Sequence, residues 1–216
     1  MKVLKKGILF LVTFIVIIAV FNIPVNTKQG INFVVATKKI PFYVKTFGFF
    51  YRSYQYGAMS RRLTNGIEGD KEKIAAIFDW TAENVKRKPE GFAIIDDHIW
   101  NIVVRRYGTA DQMADVFTAL ASYAGYEAFW ISPKISRHLI LSFVDIDGRW
   151  YMFDLYNKKS FIEGGDLNIL TSYGLTYKEA LDRIEEKYFE TNIRRADKQK
   201  FFPRITFEVK KFFVEE

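Results

Sequence analysis

The order of the predicted elements indicates an α+β fold, in which a buried helix is followed by an antiparallel sheet. The helix signal covers residues 109–125, and strand signals follow at 126–131, 138–146 and 149–155. Helices followed by a run of strands, rather than strict alternation of the two, are typical of α+β domains. At 216 residues, 49% of them hydrophobic, the chain is long enough for one full core.

The first element is an apolar run at the N-terminus. Residues 7–21 contain no charged side chain, and three lysines stand among the first six residues. Roughly 17–25 apolar residues span a membrane, so we predict an uncleaved anchor over residues 1–24. The preceding lysines predict a single-pass cell-membrane protein with a cytoplasmic N-terminus and an extracytoplasmic domain. A cleaved signal peptide is the alternative, but small residues are not found at the cleavage positions just after the run.

The second segment, residues 25–67, is basic and aromatic. Residues 1–67 hold ten basic side chains and no acidic one, whereas the rest of the chain holds 22 basic and 25 acidic side chains. The net charge of +7 therefore belongs to the part near the predicted anchor, and we expect no nucleic-acid partner. Basic and aromatic residues alternate over residues 28–62, which favours contact with membrane lipid. Alternatively, the aromatic side chains enter the core and the basic ones are solvated.

The third segment, residues 68–216, is predicted to be the globular domain, and its first element is a helix over residues 70–86. Apolar positions recur there at the helical period, and Asp70 is suited to cap the helix. Residues 92–107 are too mixed to assign. A further helix is predicted to begin at Thr176, and a final strand is predicted at 201–213.

The helix over residues 109–125 has the clearest signals. Thr109 and Gln112 have the spacing of a capping box, and Gly125 is suited to end the helix. A buried stripe of Met113, Val116, Phe117, Leu120 and Ala124 is expected between them. Asp147-Gly148 predicts the turn of a hairpin between the last two strand signals.

The motifs that bear on function lie around this helix and hairpin. Gly108-Thr109-Ala110 opens the helix, His138 opens a strand signal, and Asp154 closes the next one after Asp147-Gly148-Arg149-Trp150. In this order, residues 70–157 resemble the transglutaminase-like superfamily of the papain-like fold. The resemblance implies that Ala110 occupies the place of the catalytic Cys, with His138 and Asp154 in the places of the catalytic His and Asp.

The length of the hairpin turn bears on whether these residues meet. A two-residue turn pairs position 146 with position 149, and strict alternation then puts His138 and Asp154 on opposite faces of the sheet. We therefore expect a longer turn, or a bulge at Gly148, if the site exists.

The expected nucleophile is absent, because the chain has no Cys. In cysteine enzymes, the helix N-terminus and an adjacent imidazolium make the thiol acidic, and a carboxylate orients the imidazole. Ala110 offers only a methyl group. Thr109 is expected to be used as the helix cap, and Ser122 lies more than three turns further along. A substitution of an original Cys by Ala is a further explanation.

We therefore predict a membrane-anchored, catalytically inactive transglutaminase-like protein that binds a peptide or protein partner at the cell envelope. The binding groove would lie at the helix head, with Thr109, Asp111 and Gln112 beside Ala110. The alternative is an amide-bond hydrolase or acyl transferase, with a non-Cys nucleophile or as a Cys-to-Ala variant. A third class is a structural membrane protein.

No cofactor or metal is predicted. His98 lies beside Asp96 and Asp97, but together with His138 they lack the tight spacing of metal ligands. A surface or hydrogen-bonded role is therefore expected for His98. The four tryptophans are expected in the core rather than on a ligand-stacking surface.

Overall fold

The structure is a computed structural model that describes residues 2–30, 36–95, 98–131 and 140–160. His138 and the elements predicted at Thr176 and at 201–213 lie outside the described residues. By their contacts, the described residues form two compact units. The first contains those up to residue 55, together with 95 and 98, and the second contains the others. The segment boundaries predicted after residues 24 and 67 stay predictions.

The first unit contains two helical segments and a hairpin. Helix α1 is Lys2–Phe21, and strands β1 (Pro24–Gln29) and β2 (Ala36–Pro41) pair antiparallel. Helix α2 is Phe42–Thr64, and its residues up to 55 belong to this unit. The side chains of residues 6–21 are exposed. No helix among the described residues is both long and apolar enough to cross a membrane, so the predicted transmembrane anchor has no support in the structure.

The second unit confirms the mixed helix-and-sheet architecture. Its elements are α3 (Asp70–Asn84), β3 (Lys86–Arg87), α4 (Ile99–Arg105), β4 (Tyr107–Gly108), α5 (Ala110–Ala124), β5 (Ala128–Ile131), β6 (Leu141–Ile146), β7 (Arg149–Asp154) and β8 (Lys159–Ser160). Strands β5 to β8 form an antiparallel sheet in sequence order, and β3 pairs with β4 in parallel.

Helix α5 lies at the centre of the core. Met113, Val116, Phe117 and Leu120 are at most 2% exposed. The ring of Phe117 lies 6.0 Å from that of Phe78 and 4.9 Å from that of Phe153 on β7. Burying each of these apolar side chains stabilises the fold by roughly 1.5–3 kcal/mol, so this stripe fixes α5 between α3 and the sheet.

Helix α3 begins at residue 70 as predicted, but its cap and its end differ from the prediction. Its N-cap is Gly69, so the expectation that Asp70 caps the helix is wrong. The Asp70 carboxylate instead accepts hydrogen bonds from the Tyr126 hydroxyl at 2.7 Å and from Lys73 Nζ at 2.8 Å. The helix ends at Asn84 rather than near residue 86, because Lys86 and Arg87 pair with β4.

The turn between β6 and β7 has two residues, so the longer turn expected from sequence is wrong. Ile146 pairs directly with Arg149. Asp147 and Gly148 have φ values of 55° and 76°, and positive φ at both central residues is what a type I′ hairpin turn requires. An Asp-Gly pair accepts this conformation readily, which explains why the tight turn forms.

Candidate functional site

The head of α5 is built by the predicted capping box. The Thr109 oxygen accepts the backbone N–H of Gln112, and the backbone N–H of Thr109 donates to Gln112 Oε1 at 3.2 Å. The Thr109 hydroxyl also donates to Asp111 Oδ1 at 2.5 Å. Both functions of this hydroxyl are therefore used within the first turn of the helix, as expected for a cap rather than a nucleophile.

Gln112 holds the segment that precedes the helix. Its side chain is 2% exposed, and Oε1 also accepts a hydrogen bond from Arg105 Nη2 at 3.0 Å. A Cβ atom at Gly108 would lie 3.0 Å from Gln112 Cβ and 3.1 Å from Gln112 Oε1. A larger residue there would push the Gln112 side chain aside by a few tenths of an ångström. The glycine two residues before Ala110 is therefore favoured by the packing of the helix head.

Ala110 is the first residue of α5, and its side chain is half-buried. The first backbone N–H groups of a helix have no intrahelical acceptor, and the helix dipole makes this end electropositive. A thiol placed there would be shifted toward its thiolate form. The position offers the electrostatics of a nucleophile site, but a methyl group occupies it.

Asp154 is the last residue of β7 and is 1% exposed. Its Oδ1 accepts the backbone N–H of Asn157 at 3.0 Å, and its Oδ2 accepts Asn157 Nδ2 at 2.7 Å. The carboxylate thus closes the turn that leads into β8. A buried carboxylate held at both oxygens has a fixed orientation.

Arg87 connects the turn after Asp154 to the head of α5. Its guanidinium donates to the Tyr156 carbonyl oxygen from Nε at 3.0 Å and from Nη2 at 2.6 Å, and from Nη2 to Asn157 Oδ1 at 3.2 Å. It also lies 4.1 Å from the centre of the Tyr156 ring. On β3, Arg87 is the register partner of Gly108. The turn after Asp154 and the head of α5 are therefore separated by one strand spacing, about 4.8 Å, and one arginine side chain.

The two-residue turn does not decide whether residue 138 and Asp154 share a face. The pairing of β6 with β7 covers Ser142–Ile146 and Arg149–Phe153, and residue 154 pairs instead with Lys159 of β8. Strict alternation applies to paired positions only. Asp154 follows the alternation of β7, but residue 138 lies outside the described residues, so the argument from alternation cannot be completed.

Of the predicted site residues, the structure brings Thr109, Ala110, Asp111 and Gln112 together at one helix head. It links the turn that holds Asp154 to this head through Arg87. Sequence reasoning missed Arg87, since its partners lie 69 and 70 positions away. A basic residue in a two-residue strand gives no sign in the sequence that it contacts residues so far along the chain.

A second feature missed from sequence is an acidic cleft of about 370 Å³, lined by Asp70, Gly125, Tyr126, Glu127, Asp145, Asp147 and Gly148. Burial raises the pKa of Asp145, and the carboxylates of Glu127 and Asp147 raise it further, against two opposing backbone hydrogen bonds. Within the described ranges, no three His, Cys, Asp or Glu residues are arranged to hold a metal ion.

His98, which lies within the described residues, is not suited to acid–base catalysis near neutral pH. Burial, and then the positive charge of Arg52, lower the pKa of His98 to about 4. The imidazole is therefore neutral at pH 7. Two of the predicted core tryptophans, Trp80 and Trp100, are partly buried and pack against the core cluster.

Comparison with known proteins identifies the family of this core. Residues 57–155 match the model of the transglutaminase-like superfamily. These residues form a transglutaminase-like domain. The matched range includes positions 110, 138 and 154, so the resemblance inferred from the helix and hairpin motifs is confirmed at the level of the family. No curated protein matches the chain.

Three solved structures are similar to this chain. A candidate cysteine protease from Cytophaga hutchinsonii is 20% identical, with a TM-score of 0.39 over 48% of this chain and 37% of its own. A candidate protease from Parabacteroides distasonis is 13% identical, with a TM-score of 0.38 over 60% and 35%. A protein described as a TGase is 12% identical, with a TM-score of 0.34 over 60% and 43%. The chain therefore spans less than half of the length of each.

Proposed function

We propose that this transglutaminase-like protein is catalytically inactive and binds a peptide or protein partner in a groove at the head of α5. The supporting observation is the methyl group of Ala110 at the first position of that helix. The chain contains no Cys that could act from elsewhere, and the neighbouring Thr109 hydroxyl is used in the capping box. The position that would carry out acyl transfer therefore has no reactive atom.

The groove keeps features suited to holding an extended peptide. The backbone N–H of Ala110 has no intrahelical acceptor, so it can donate to a carbonyl oxygen of a bound chain. Gln112 and Gly108 keep this N–H in place by fixing the segment before the helix. Asp154 is buried and hydrogen-bonded to Asn157 at both oxygens, so it fixes the turn that Arg87 joins to this segment. Rigid donors and acceptors reduce the ordering cost of binding.

The proposal also places the protein at the cell envelope, attached through α1 with its N-terminus in the cytoplasm. The apolar side chains along α1 are exposed, and an uncharged run of fifteen residues follows the three N-terminal lysines. After cell fractionation, alkaline carbonate should leave the full chain in the membrane pellet. Release into the supernatant would contradict attachment through α1.

The competing function is an acyl-transfer enzyme, with a hydroxyl nucleophile or as a variant of a Cys enzyme. The buried, oriented carboxylate of Asp154 favours it, because a carboxylate orients the imidazole in enzymes of this kind. Incubation of the chain with an activated ester, followed by peptide mass spectrometry, tests the hydroxyl route. We expect no acyl group on Thr109 or Ser122, and an adduct on either would contradict inactivity.

Substitution Ala110→Cys tests whether the old site is preserved. The new residue would be the only thiol in the chain, so alkylation by iodoacetamide reports on it alone. We expect a thiol pKa near 6, compared with about 8.5 for a free Cys, because the helix head and a protonated His138 both favour the thiolate. At pH 5 the thiolate fraction is then about 300-fold larger. The lower pKa also makes each thiolate about 13-fold less nucleophilic, so alkylation at pH 5 should be roughly 20-fold faster than that of a free Cys.

Two matched variants interpret the result. Lys71→Cys puts a thiol at the second position of α3, where a helix N-terminus acts without the other site residues. Ala110→Cys combined with His138→Gln removes the imidazole. Both should require a higher pH for alkylation than Ala110→Cys alone. A single pH profile shared by all three variants would show that no imidazole faces Ala110.

A further inference from the structure

We propose that the first half of α2 lies on an anionic lipid bilayer through an exposed aromatic face. This surface belongs to the first compact unit, whereas the groove belongs to the second. The inference does not depend on the groove or its occupant, but it rests on the proposed attachment of the protein through α1. It assigns residues 42–55 a role in holding the protein against a lipid surface.

The aromatic face consists of Tyr43, Phe47, Phe50, Tyr51 and Tyr54, which are 39%, 69%, 51%, 55% and 67% exposed. At 100° per residue, these five side chains project within an arc of about 100° on one side of the helix. A continuous exposed strip of large aromatic rings is uncommon on a soluble surface and indicates a binding partner.

The charge of residues 1–55 favours an anionic partner. Residues 1–55 carry eight basic side chains and no acidic one. Lys28, Lys38 and Lys39 are exposed on the β1–β2 hairpin that leads into α2. Each Lys or Arg near an anionic membrane contributes about 1 kcal/mol of attraction. Three of the five rings are tyrosines, whose apolar ring and polar hydroxyl suit the headgroup region.

The connection between α2 and α1 favours a membrane as the source of this negative charge. The backbone N–H of Phe42 donates to the Ile23 carbonyl oxygen at 2.9 Å, and the rings of Phe21 and Phe42 lie 5.9 Å apart. Lys45 Nζ donates to the Asn26 carbonyl oxygen at 2.7 Å. The first turns of α2 are thus fixed to the end of α1, whose exposed side chains are apolar. A lipid layer that receives α1 brings its headgroups to the aromatic face.

A second copy of the chain is a poorer occupant for the same face. Pairing two α2 helices would bring together two copies of residues 1–55, each of which carries eight basic side chains and no acidic one. Like charges in close contact repel, whereas phosphate headgroups neutralise them. Lipid therefore satisfies both the rings and the charges.

Tryptophan placed on the face gives a direct test in the full chain. Phe47→Trp is compared with Val104→Trp, a position on α4 that is 65% exposed and has similar access to solvent. Each variant is reconstituted in phosphatidylcholine vesicles containing phosphatidylglycerol, with bromine on the acyl chains. The emission of unsubstituted protein, which has four tryptophans, is subtracted. We expect the Phe47→Trp contribution to be quenched by at least half and the Val104→Trp contribution to be unaffected.

Three outcomes would overturn the proposal. Equal quenching of the two variants would show that the aromatic face has no special contact with lipid. Undiminished quenching of Phe47→Trp in pure phosphatidylcholine would contradict the requirement for anionic lipid. A blue shift of Phe47→Trp emission that grows with protein concentration in lipid-free detergent would show that a second copy covers the face.

Discussion

Gln112→Ala should destabilise the protein because one buried oxygen serves two donors. Gln112 is 2% exposed, and Oε1 accepts from the backbone N–H of Thr109 at 3.2 Å and from Arg105 Nη2 at 3.0 Å. Alanine leaves both donors without this acceptor and removes half of the capping box. Lost caps cost about 1 kcal/mol, and an unsatisfied buried donor costs about 1–3 kcal/mol. Arg105 is only half-buried and can turn toward water, so we expect a total loss of about 2–3 kcal/mol.

The assay is equilibrium unfolding of the full chain by urea in a mild detergent, followed by tryptophan fluorescence. For a chain of this size, the loss corresponds to a melting temperature lower by about 5–10 °C. Gln112→Glu is the control, because it keeps an acceptor oxygen for both donors, and its free energy of unfolding should stay within about 1 kcal/mol of the original. A loss below about 0.5 kcal/mol for Gln112→Ala would refute the structural role of this network. The role of Gln112 in binding a partner stays a prediction.

Two further predictions concern the edges of the site. Arg87→Ala should lower the free energy of unfolding by about 1–2 kcal/mol, because it removes three hydrogen bonds and a ring contact at an exposed position. Arg87→Lys should recover less than half of this free energy, since lysine lacks the planar guanidinium group. Full recovery of the free energy of unfolding in urea would contradict the role of the Arg87 hydrogen bonds. Burial and the hydrogen bond to Asp70 raise the pKa of Tyr126, so its contribution to stability is complete below pH 10 and is lost as the pH rises beyond that value. Tyr126→Phe should therefore weaken the loss of stability above pH 10, and an unchanged alkaline limb of the stability profile would contradict this.

The sequence predicted those parts of the fold that depend on local chemistry. The capping box at Thr109 and Gln112, the end of α5 at Gly125 and the strands that flank Asp147-Gly148 are all confirmed. Gly125 has a φ of 108°, which explains why glycine ends the helix there. These features need only neighbours within about four residues, so their spacing is visible in the chain.

The parts that could not be predicted depend on distant contacts or on unusual exposure. Helix α2 was not assigned, because its outward face is aromatic and gives no alternation of apolar and polar residues. Strands β3 and β4 have two residues each, too few for any periodic signal. The use of Asp70 to bind Tyr126 instead of capping α3 joins residues 56 positions apart. Sequence reasoning therefore predicted the head of α5 but missed the hydrogen bonds of Arg87 beside it.

Whether His138 faces Asp154 is the question on which the groove depends most, and a histidine titration by NMR answers it directly. The chain has two histidines, so His98→Gln assigns both signals, and His98 itself should titrate near pH 4. A carboxylate beside an imidazole stabilises the imidazolium, so the pKa of His138 should lie above 6.5 and should fall by about one unit or more in Asp154→Asn. The same pKa for His138 in both proteins would contradict a preserved site at the head of α5.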